Sequence, residues 1–359
     1  MNFIKRTLAT ALISVIFVTL VFGYITAHAD PDTSEINENN ITLIGRMDMT
    51  ALQELLDESG TCLQNFSRYG TSNIYFFTAS RNNDTYIIRC SLSSNVFTPL
   101  DFYVLEDYGH GESIEVTGYD VTSFSYTIWI GSGLSNGGWS KYVSRIKYKI
   151  DNQSSTGASV DSTKTKTITG LIDAATGTTG NSEYRTTVCI SSSSDNRICF
   201  TTRKTINDVN GIFNMVYTFS SVDYVLENMT GSTIALSSLS SYQQSLFWIP
   251  KSEAYPNNSF QGEETTGTGT SNGMLYISGG STYQDGKINQ FQYTDTNGYE
   301  LKKIYTVKTT TAGSTHDIKN AEIEGIKIYK SGSTEYMFML FRKPDGDNDK
   351  HSIYRYTIS

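Results

Sequence analysis

The chain of 359 residues has only five prolines, four cysteines and four histidines. Basic residues are outnumbered, 28 against 36 acidic ones, so the net charge of -8 excludes the basic surface typical of nucleic-acid binding. The sequence lacks zinc-type Cys-x-x-Cys spacing, a Gly-x-Ser-x-Gly nucleophile elbow and a phosphate-loop ending. In contrast, 24 tyrosines and 29 glycines favour strands and turns and argue against global disorder.

The N-terminal segment has the order of features of a secretory signal. Lys5 and Arg6 precede an apolar run, Leu8–Ile25, which is followed by Ala27-His28-Ala29. This order predicts that residues 1–29 are a signal peptide cleaved before Asp30 and that the mature protein is extracellular. An uncleaved membrane anchor is the alternative, because the run is about as long as a minimal membrane span.

Export makes disulfides possible for the four cysteines. Cys189 and Cys199 lie symmetrically about Ser194, the midpoint of a predicted hairpin, which places them opposite each other and within disulfide reach. Cys62 and Cys90 would then form the second bridge, although at least one predicted strand separates them.

A short pattern recurs five times along the chain. An apolar or aromatic strand ending in small or basic residues is followed each time by a second, alternating strand, which predicts antiparallel sheet. We call the apolar or aromatic strand of each unit its marker strand. Residues at matching positions in these five strands, Phe77, Ile130, Phe200, Ile277 and Met339, follow one another at intervals of 53, 70, 77 and 62 residues. Units of this size favour propeller blades over shorter solenoid repeats, so we expect an all-β, five-bladed β-propeller. A β-sandwich is the alternative, but it would not require five similar units.

The ends of the chain fit a closed propeller. Ile41–Met47 reads as an isolated strand that can pair with the last strand, Ser352–Ile358, and such closure removes exposed sheet edges. Residues 30–40 read as a polar leader, and residues 41–359 as a single propeller domain. Helix-like periodicity is confined to Met49–Glu58.

A further predicted strand precedes the marker strand in the last four units. Aligning these strands puts Glu112, Arg185, Gln261 and Glu322 at one position, with residues 63–65 as a fifth. Because the first strand of each blade lines the central channel, these side chains predict a ring of polar groups. The alternative to a binding site is a structural ring, in which the side chains satisfy one another or trapped water.

Two further residues extend this candidate site. His110, two residues before Glu112, is expected at the channel mouth with a titration near neutral pH, the alternative being an ordinary loop histidine. Glu324 adds a carboxylate two residues after Glu322. Outer loops at Gly131–Trp139 and Thr265–Gly273 are the remaining binding candidates.

The chain resembles the helveticin J family of class III bacteriocins, within a wider group that includes the teichoic-acid-operon protein C and phage receptor-binding propellers. The resemblance extends from about Ile41 to Ser359 and rests on short motifs in order: Gly109–Ser113, Asn258–Gly262 with Leu275–Ser278, Ala321–Ile326 and Ile353–Tyr356. It implies a five-bladed propeller secreted by a Gram-positive bacterium and acting on the surface of related bacteria. Glu112, Gln261 and Glu322 match its inner-strand positions, whereas Arg185 departs from them.

The expected function is therefore a secreted bacteriocin that binds a cell-envelope component of competing Gram-positive bacteria and inhibits or kills them. A lectin-like propeller without killing activity is the first alternative, since Trp129 and Trp139, taken as exposed, suit sugar rings. A glycoside hydrolase is the second, because facing carboxylates are available, but the sialidase-type Ser-x-Asp-x-Gly-x-Thr-Trp box is absent. No cofactor is expected, and a divalent cation in the channel is left open.

One motif resembles a calcium loop. Asp345, Asp347 and Asp349 alternate, but Lys350 and Tyr356 stand where an EF-hand needs Gly and Glu. We therefore expect a solvated hairpin tip and no metal site.

Overall fold

The computed structural model describes residues 30–57, 61–179, 184–192, 194–206, 208–267, 273–293, 298–313, 316–345 and 349–358. The predicted signal peptide, residues 1–29, lies outside the described residues, as do the centre of the Asp345–Asp349 run and most of the Thr265–Gly273 loop. No helix in the described part of the chain is long and apolar enough to cross a membrane.

Strands dominate the described residues. In chain order they are β1 (Asp32–Ile36), β2 (Ile41–Met47), β3 (Leu63–Arg68), β4 (Ile74–Arg81), β5 (Asp84–Ser93), β6 (Val96–Leu105), β7 (Ile114–Asp120), β8 (Ser125–Leu134), β9 (Ser140–Ile150), β10 (Ala158–Val160), β11 (Lys166–Thr169), β12 (Thr186–Ile190), β13 (Arg197–Ile206), β14 (Val209–Thr218), β15 (Thr233–Ala235), β16 (Gln243–Pro250), β17 (Gly262–Thr266), β18 (Gly273–Gly279), β19 (Gly286–Tyr293), β20 (Tyr299–Val307), β21 (Glu322–Ser331), β22 (Thr334–Lys343) and β23 (Lys350–Ile358). The α-helices are α1 (Met49–Leu56), α2 (Leu171–Thr176), α3 (Phe219–Asn228) and α4 (Lys251–Ala254), and short 3-10 helices cover Ser162–Lys164, Leu236–Tyr242 and Pro256–Asn258.

Hydrogen bonding joins the strands into antiparallel meanders. One sheet has the order β7-β8-β9-β11-β15, with β10 also paired to β9; a second has the order β12-β13-β14-β16; and a third has the order β17-β18-β19-β20-β1. The eight-stranded sheet, β3-β4-β5-β6-β2-β23-β22-β21, contains the first and last meanders of the chain, joined through β2. The predicted recurrence of paired strands is confirmed, and the protein is all-β.

The meanders are arranged in a closed circle. Their first strands, β3, β7, β12, β17 and β21, contact one another in this order, and β21 contacts β3 again. A buried apolar cluster lies between each two neighbouring meanders in the described residues, represented in order around the circle by Phe76, Trp129, Phe291, Tyr276 and Phe338. Because each cluster needs residues from two meanders, no meander buries its apolar faces alone.

Strand β2 closes the circle as expected from the sequence. It pairs antiparallel with β23, with Leu43 opposite Tyr354, and parallel with β6, with Arg46 opposite Val96. One N-terminal strand therefore links the last meander to the first and covers an edge on each of them.

The predicted polar leader, residues 30–40, contains a strand that the sequence analysis did not predict. Asp32–Ile36 forms β1 and pairs in parallel with β20. Ile36 is its only buried residue. Strand β1 is held at the edge of its sheet by backbone hydrogen bonds to β20. Because these bonds do not depend on the side chains, the sequence of β1 shows no alternation of apolar and polar residues.

Helix α1 falls within the predicted segment, whereas α3 was missed. Asp48 caps α1, its side chain accepting a hydrogen bond from the Ala51 N–H. Helix α3 begins directly after β14, and the side chain of its N-cap residue, Thr218, makes no capping hydrogen bond. Only Val222 and Leu226 of α3 are buried, so the apolar stripe is too short to be distinguished from a strand end.

Gly45 provides a test of the closure by β2. A Cβ atom at this position would lie 2.7 Å from Leu92 Cδ1 and 2.8 Å from a ring carbon of the buried Phe97. We expect Gly45→Ala to lower the free energy of unfolding by about 1 to 3 kcal/mol through overpacking. Urea denaturation measures this change.

Gly118→Ala is the matched control, because a Cβ atom at position 118 would lie 3.5 Å from its nearest heavy atom, Thr127 Oγ1, which is an ordinary contact distance. Its effect should stay within about 0.5 kcal/mol. Equal stability of the two variants would show that β2 does not pack tightly against the first meander.

Candidate functional site

The predicted ring residues lie together at one end of the circle of first strands. We call this end the mouth and define it by Gln64, Glu112, Arg185, Gln261 and Glu322. Gln64 lies in β3 and Glu322 opens β21, whereas the other three stand one or two residues before their strands begin. The ring therefore sits at the rim of the channel, where the first strands begin, whereas the aligned sequences had predicted all of its members within the first strands.

Arg185 and Glu112 form a bidentate ion pair. Arg185 Nε donates to Glu112 Oε2 at 2.7 Å, and Nη2 contacts Glu112 Oε1. Nη2 also donates to the carbonyl of Phe260, the residue before Gln261. The two side chains of the ion pair are only 10% and 8% exposed. Burial raises the pKa of Glu112, while the charge and hydrogen bonds of Arg185 act in the opposite direction.

Glu322 and Gln261 form the second pair of the mouth. Gln261 Nε2 donates to Glu322 Oε1, and Thr282 Oγ1 donates to the other carboxylate oxygen at 3.4 Å. Arg342 Nη1 lies 3.9 Å from the same oxygen. The four predicted residues thus form two pairs, linked where Arg185 reaches the Phe260 carbonyl.

Glu324 lies behind Glu322 and is nearly inaccessible, with 4% of its surface exposed. Its Oε1 is 3.8 Å from Arg342 Nη1 and 3.8 Å from Cys62 Sγ. Burial raises the pKa of Glu324 to about 8, helped by the charge of Glu322 and opposed by that of Arg342. At neutral pH this carboxyl group therefore carries a proton in most molecules.

The expected near-neutral titration of His110 is wrong. Burial and the charge of Arg185 lower the pKa of His110 to about 4, so the imidazole is neutral at pH 7. Its ring stands edge-on to that of Trp139, with centroids 4.6 Å apart. The guanidinium of Arg185 in turn lies over Trp139, 4.0 Å from the ring centroid. His110 is thus an aromatic neighbour of the mouth and not a proton carrier.

The two tryptophans expected at the surface differ in position. Trp129, in the middle strand β8, is fully buried in the cluster between the second and third meanders, which corrects the prediction. Trp139, in the turn between β8 and β9, is half-buried beside the mouth. The antiparallel strand β8 ends on the side where β7 begins, so the predicted loop Gly131–Trp139 and the ring belong to one face of the protein.

A second layer of charges lies deeper in the channel. Lys327 Nζ contacts Glu115 Oε1 and lies 3.6 Å from Glu264 Oε2, and all three residues are buried. Glu263 accepts a hydrogen bond from Thr187 at 2.9 Å, and burial raises its pKa to about 7. Sequence reasoning missed Lys327 and Glu264 as functional neighbours because it aligned a single position in each first strand.

Arg342 was also missed, since it lies in a second strand, β22, that carries no ring position. Its only sequence signal is that the fifth marker strand ends in basic residues. No group of three or more His, Cys, Asp or Glu side chains in the described ranges is placed to hold a metal ion.

The register of the strands permits one of the two predicted disulfides and excludes the other. Cys189 lies directly opposite Cys199, and the same ladder has the Ser191 N–H donating to the Arg197 carbonyl. Pairs of this kind have Cα atoms about 5.5 Å apart, within disulfide range. Both cysteines are free thiols in the structure, so this bridge stays a prediction.

The second predicted bridge is wrong. Ala79 pairs with Leu63, the neighbour of Cys62, and with Tyr86, whereas Cys90 lies four residues further along β5. Cys62 falls one residue before Leu63, so it is offset from Cys90 by two strands and by about five residues, or about 16 Å, along the strand direction. Both are free thiols. A disulfide bond would need Cα atoms within about 7 Å.

Comparison with known proteins identifies the fold but not a family. No family model and no curated protein matches the chain. The tail fiber of Staphylococcus aureus phage P68 is similar in structure with a TM-score of 0.53 and 13% identity, over 97% of this chain and 56% of the fiber chain. The protein thus spans little more than half the length of that fiber. The similarity to the fiber concerns the fold alone, and the helveticin J family named by the resemblance finds no support.

Two glycosidases show lower similarity. An exo-1,5-alpha-L-arabinanase from a bovine ruminal metagenomic library has a TM-score of 0.43 and 8% identity, over 84% of this chain and 98% of the enzyme. A xylan beta-1,4-xylosidase from Bacillus halodurans C-125 has a TM-score of 0.42 and 11% identity, over 82% of this chain and 52% of the enzyme chain.

The Arg185–Glu112 pair yields a prediction about stability. Arg185→Met leaves a buried carboxylate without its cation, which should cost about 3 to 5 kcal/mol at pH 7. Adding Glu112→Gln should recover part of this loss, because the unpaired charge is removed. Urea denaturation of both variants measures the recovery.

Lys302→Met serves as a control, since the Lys302–Glu300 pair is 39% and 37% exposed and should contribute less than about 1 kcal/mol. If the double variant were as unstable as Arg185→Met alone, the charge of Glu112 would not be the cause.

Glu324 yields a prediction about pH. Its pKa is raised in the folded protein from 4.5 to about 8, so the folded state binds more protons than the unfolded state within this window. Stability should therefore fall as the pH rises through it, with a slope of up to about 1.4 kcal/mol per pH unit from this one group. Glu324→Gln should remove this contribution, so its stability relative to the wild type should increase from pH 5 to pH 8.

The exposed Glu54 on α1 is the matched control, and Glu54→Gln should show no such trend. Denaturation midpoints at pH 5, 6, 7 and 8 provide the comparison. A Glu324→Gln curve parallel to that of the wild type would contradict a raised pKa.

Proposed function

We propose that the protein is a five-bladed β-propeller, secreted after removal of residues 1–29, that binds a glycopolymer of the bacterial cell envelope through its mouth. The observation that carries this proposal is an aromatic rim around two fixed polar pairs, on the face where the first strands begin. The five meanders, the closed circle of first strands and the five intervening apolar clusters support the number of blades.

The rim presents aromatic side chains to solvent. Tyr283, between β18 and β19, is 66% exposed, and Tyr184, immediately before Arg185, is 37% exposed. Tyr283 adopts a positive φ of 67°, a conformation that is uncommon for a bulky residue and that often marks a functional position. Aromatic rings pack on the apolar faces of sugars, and the tyrosine hydroxyls and neighbouring carboxylates can bind sugar hydroxyls.

Charge favours a ligand that is not strongly anionic. The net charge of the chain is -8, and each mouth carboxylate already has a neighbour, Arg185 for Glu112 and Gln261 for Glu322. A polyanion would therefore meet a repulsive field with no free cation among the five mouth residues. Hydroxyl-rich segments of a cell-wall polymer fit this chemistry better.

The same pairing favours binding over hydrolysis. A glycosidase needs one carboxyl group that donates a proton and a second that acts as base or nucleophile, both facing the bond to be cleaved. Glu112 is fixed by two contacts with Arg185, and Glu322 is fixed by Gln261 and Thr282. Growth inhibition of competing Gram-positive bacteria, implied by the helveticin resemblance, stays a prediction that an inhibition-zone assay tests.

A pull-down with purified Gram-positive cell walls tests the proposal. The mature chain should sediment with the walls and release no reducing sugar. Tyr283→Ala and Tyr184→Ala should each weaken binding by about tenfold, because a central aromatic contact is worth more than 1.4 kcal/mol. Since both side chains are exposed, the thermal midpoint should stay within a few degrees of the wild type.

Tyr224→Ala is the matched control, because Tyr224 is 69% exposed but lies on α3, which follows the end of β14 on the opposite face. Wild-type binding by both mouth variants would move the site elsewhere. Release of sugar without retained binding would favour the hydrolase.

A further inference from the structure

A second concave site lies away from the mouth, between the first and second meanders. The cleft has a volume of about 450 Å³, which is within the usual range for small-molecule sites. One wall is the end of β6 with the segment Glu106–Tyr108, and the other is formed by β11, β15 and the 3-10 helix Ser162–Lys164. None of the five mouth residues lines it.

The two walls differ in chemistry. Tyr103 and Tyr108 contribute half-buried aromatic side chains from the first wall. The opposite wall carries hydroxyl groups, and those of Ser162, Ser232 and Thr233 belong to solvent-exposed residues. Exposed hydroxyls on one wall and tyrosines on the other are available to a polar ligand.

Part of the hydroxyl wall is rigid. Thr167 Oγ1 lies 2.8 Å from Ser144 Oγ, which in turn donates to Ser132 Oγ at 2.8 Å. The backbone N–H of Thr167 donates to the Ser232 carbonyl at 2.8 Å, so β11 and the start of β15 hold each other in place. A wall fixed in this way loses little conformational entropy when it binds a ligand.

Charge selects the class of ligand. Glu106 is the only charged residue among those that line the cleft, and it is exposed. Among the residues that line the cleft, a phosphate or carboxylate ligand would find no cation and a metal ion would find a single carboxylate, and the neighbouring Lys166 Nζ is bound to the Gly231 carbonyl. An uncharged molecule with one apolar face and several hydroxyl groups satisfies both walls.

We propose that this cleft binds a neutral sugar unit, with Tyr103 and Tyr108 against the apolar face of the ring and the hydroxyls of Ser162, Ser232 and Thr233 on its edge. The site is separate from the mouth and does not depend on the function assigned to it. In a glycan-binding protein it would add a second contact to the same polymer, which raises the overall affinity when both sites are occupied together.

Saturation-transfer NMR on the full mature chain tests the proposal with three neutral probes, glucose, galactose and N-acetylglucosamine, and one anionic probe, glycerol 3-phosphate. At least one sugar should show a saturation-transfer signal, and glycerol 3-phosphate should show none. Tyr103→Ala and Thr233→Trp, which fills the cleft, should each reduce the sugar signal about tenfold. Thr233 is exposed, so Thr233→Trp keeps the test valid if Tyr103→Ala fails to fold.

Tyr224→Ala serves as the control and should bind the sugar as the wild type does, and Tyr283→Ala is measured beside it to report any sugar bound at the mouth. Loss of signal in Tyr283→Ala with retention in the cleft variants would place the sugar at the mouth and overturn the proposal. It would equally be overturned if no sugar gave a signal, if both cleft variants kept it, or if glycerol 3-phosphate bound as well as the sugars.

Discussion

The close approach of the first strands around the common axis is the constraint on which the rest of the structure depends. A Cβ atom on Gly262 would lie 3.0 Å from the Cα of Gly325, and one on Gly325 would lie 2.7 Å from Asn65 Oδ1. Glycine is required where backbones meet this closely. Asn65 also donates to the carbonyl of Glu112 at 2.6 Å, so the packing of the strands fixes the backbone of the mouth directly.

The close packing of the first strands around the axis also determines the electrostatics of the channel. Side chains that point to the axis lose water, so each charge must find its partner on a neighbouring strand. Lys327 does this for Glu115 and Glu264, whereas Glu263 leaves one carboxylate oxygen without a hydrogen-bond partner. Such buried pairs contribute little net stability but are costly to break, which favours a single register of the strands around the axis.

The sequence was most informative where one pattern repeats. The alternation in strands such as β9 and β19 predicted the meanders, and alignment of the upstream segments brought Glu112, Arg185, Gln261 and Glu322 to one rim. These successes have one physical cause, because each repeat must bury the same faces against its neighbours.

The contacts at the mouth follow no repeat, and the sequence did not predict them. Arg342 reaches the site from a second strand, and the low pKa of His110 depends on burial beside Arg185, which only the packed structure creates. The error over Cys62 and Cys90 has a similar origin: their separation depends on register, which sequence spacing alone does not determine.

Similarity to a phage tail fiber at 13% identity shows the fold alone, and the function of a fold depends on the chemistry of its site, here the mouth. Glu324 has the raised pKa of a general acid, but only 4% of its surface is exposed, behind Glu322 and Arg342. A proton donor must come within hydrogen-bond distance of the oxygen that it protonates, and a group this deeply buried cannot meet a polymer at the rim without rearrangement. The carboxylates of Glu112 and Glu322, in turn, are held by Arg185 and Gln261. A mouth with its acid buried and its carboxylates fixed favours the proposed binding of a sugar chain over its cleavage.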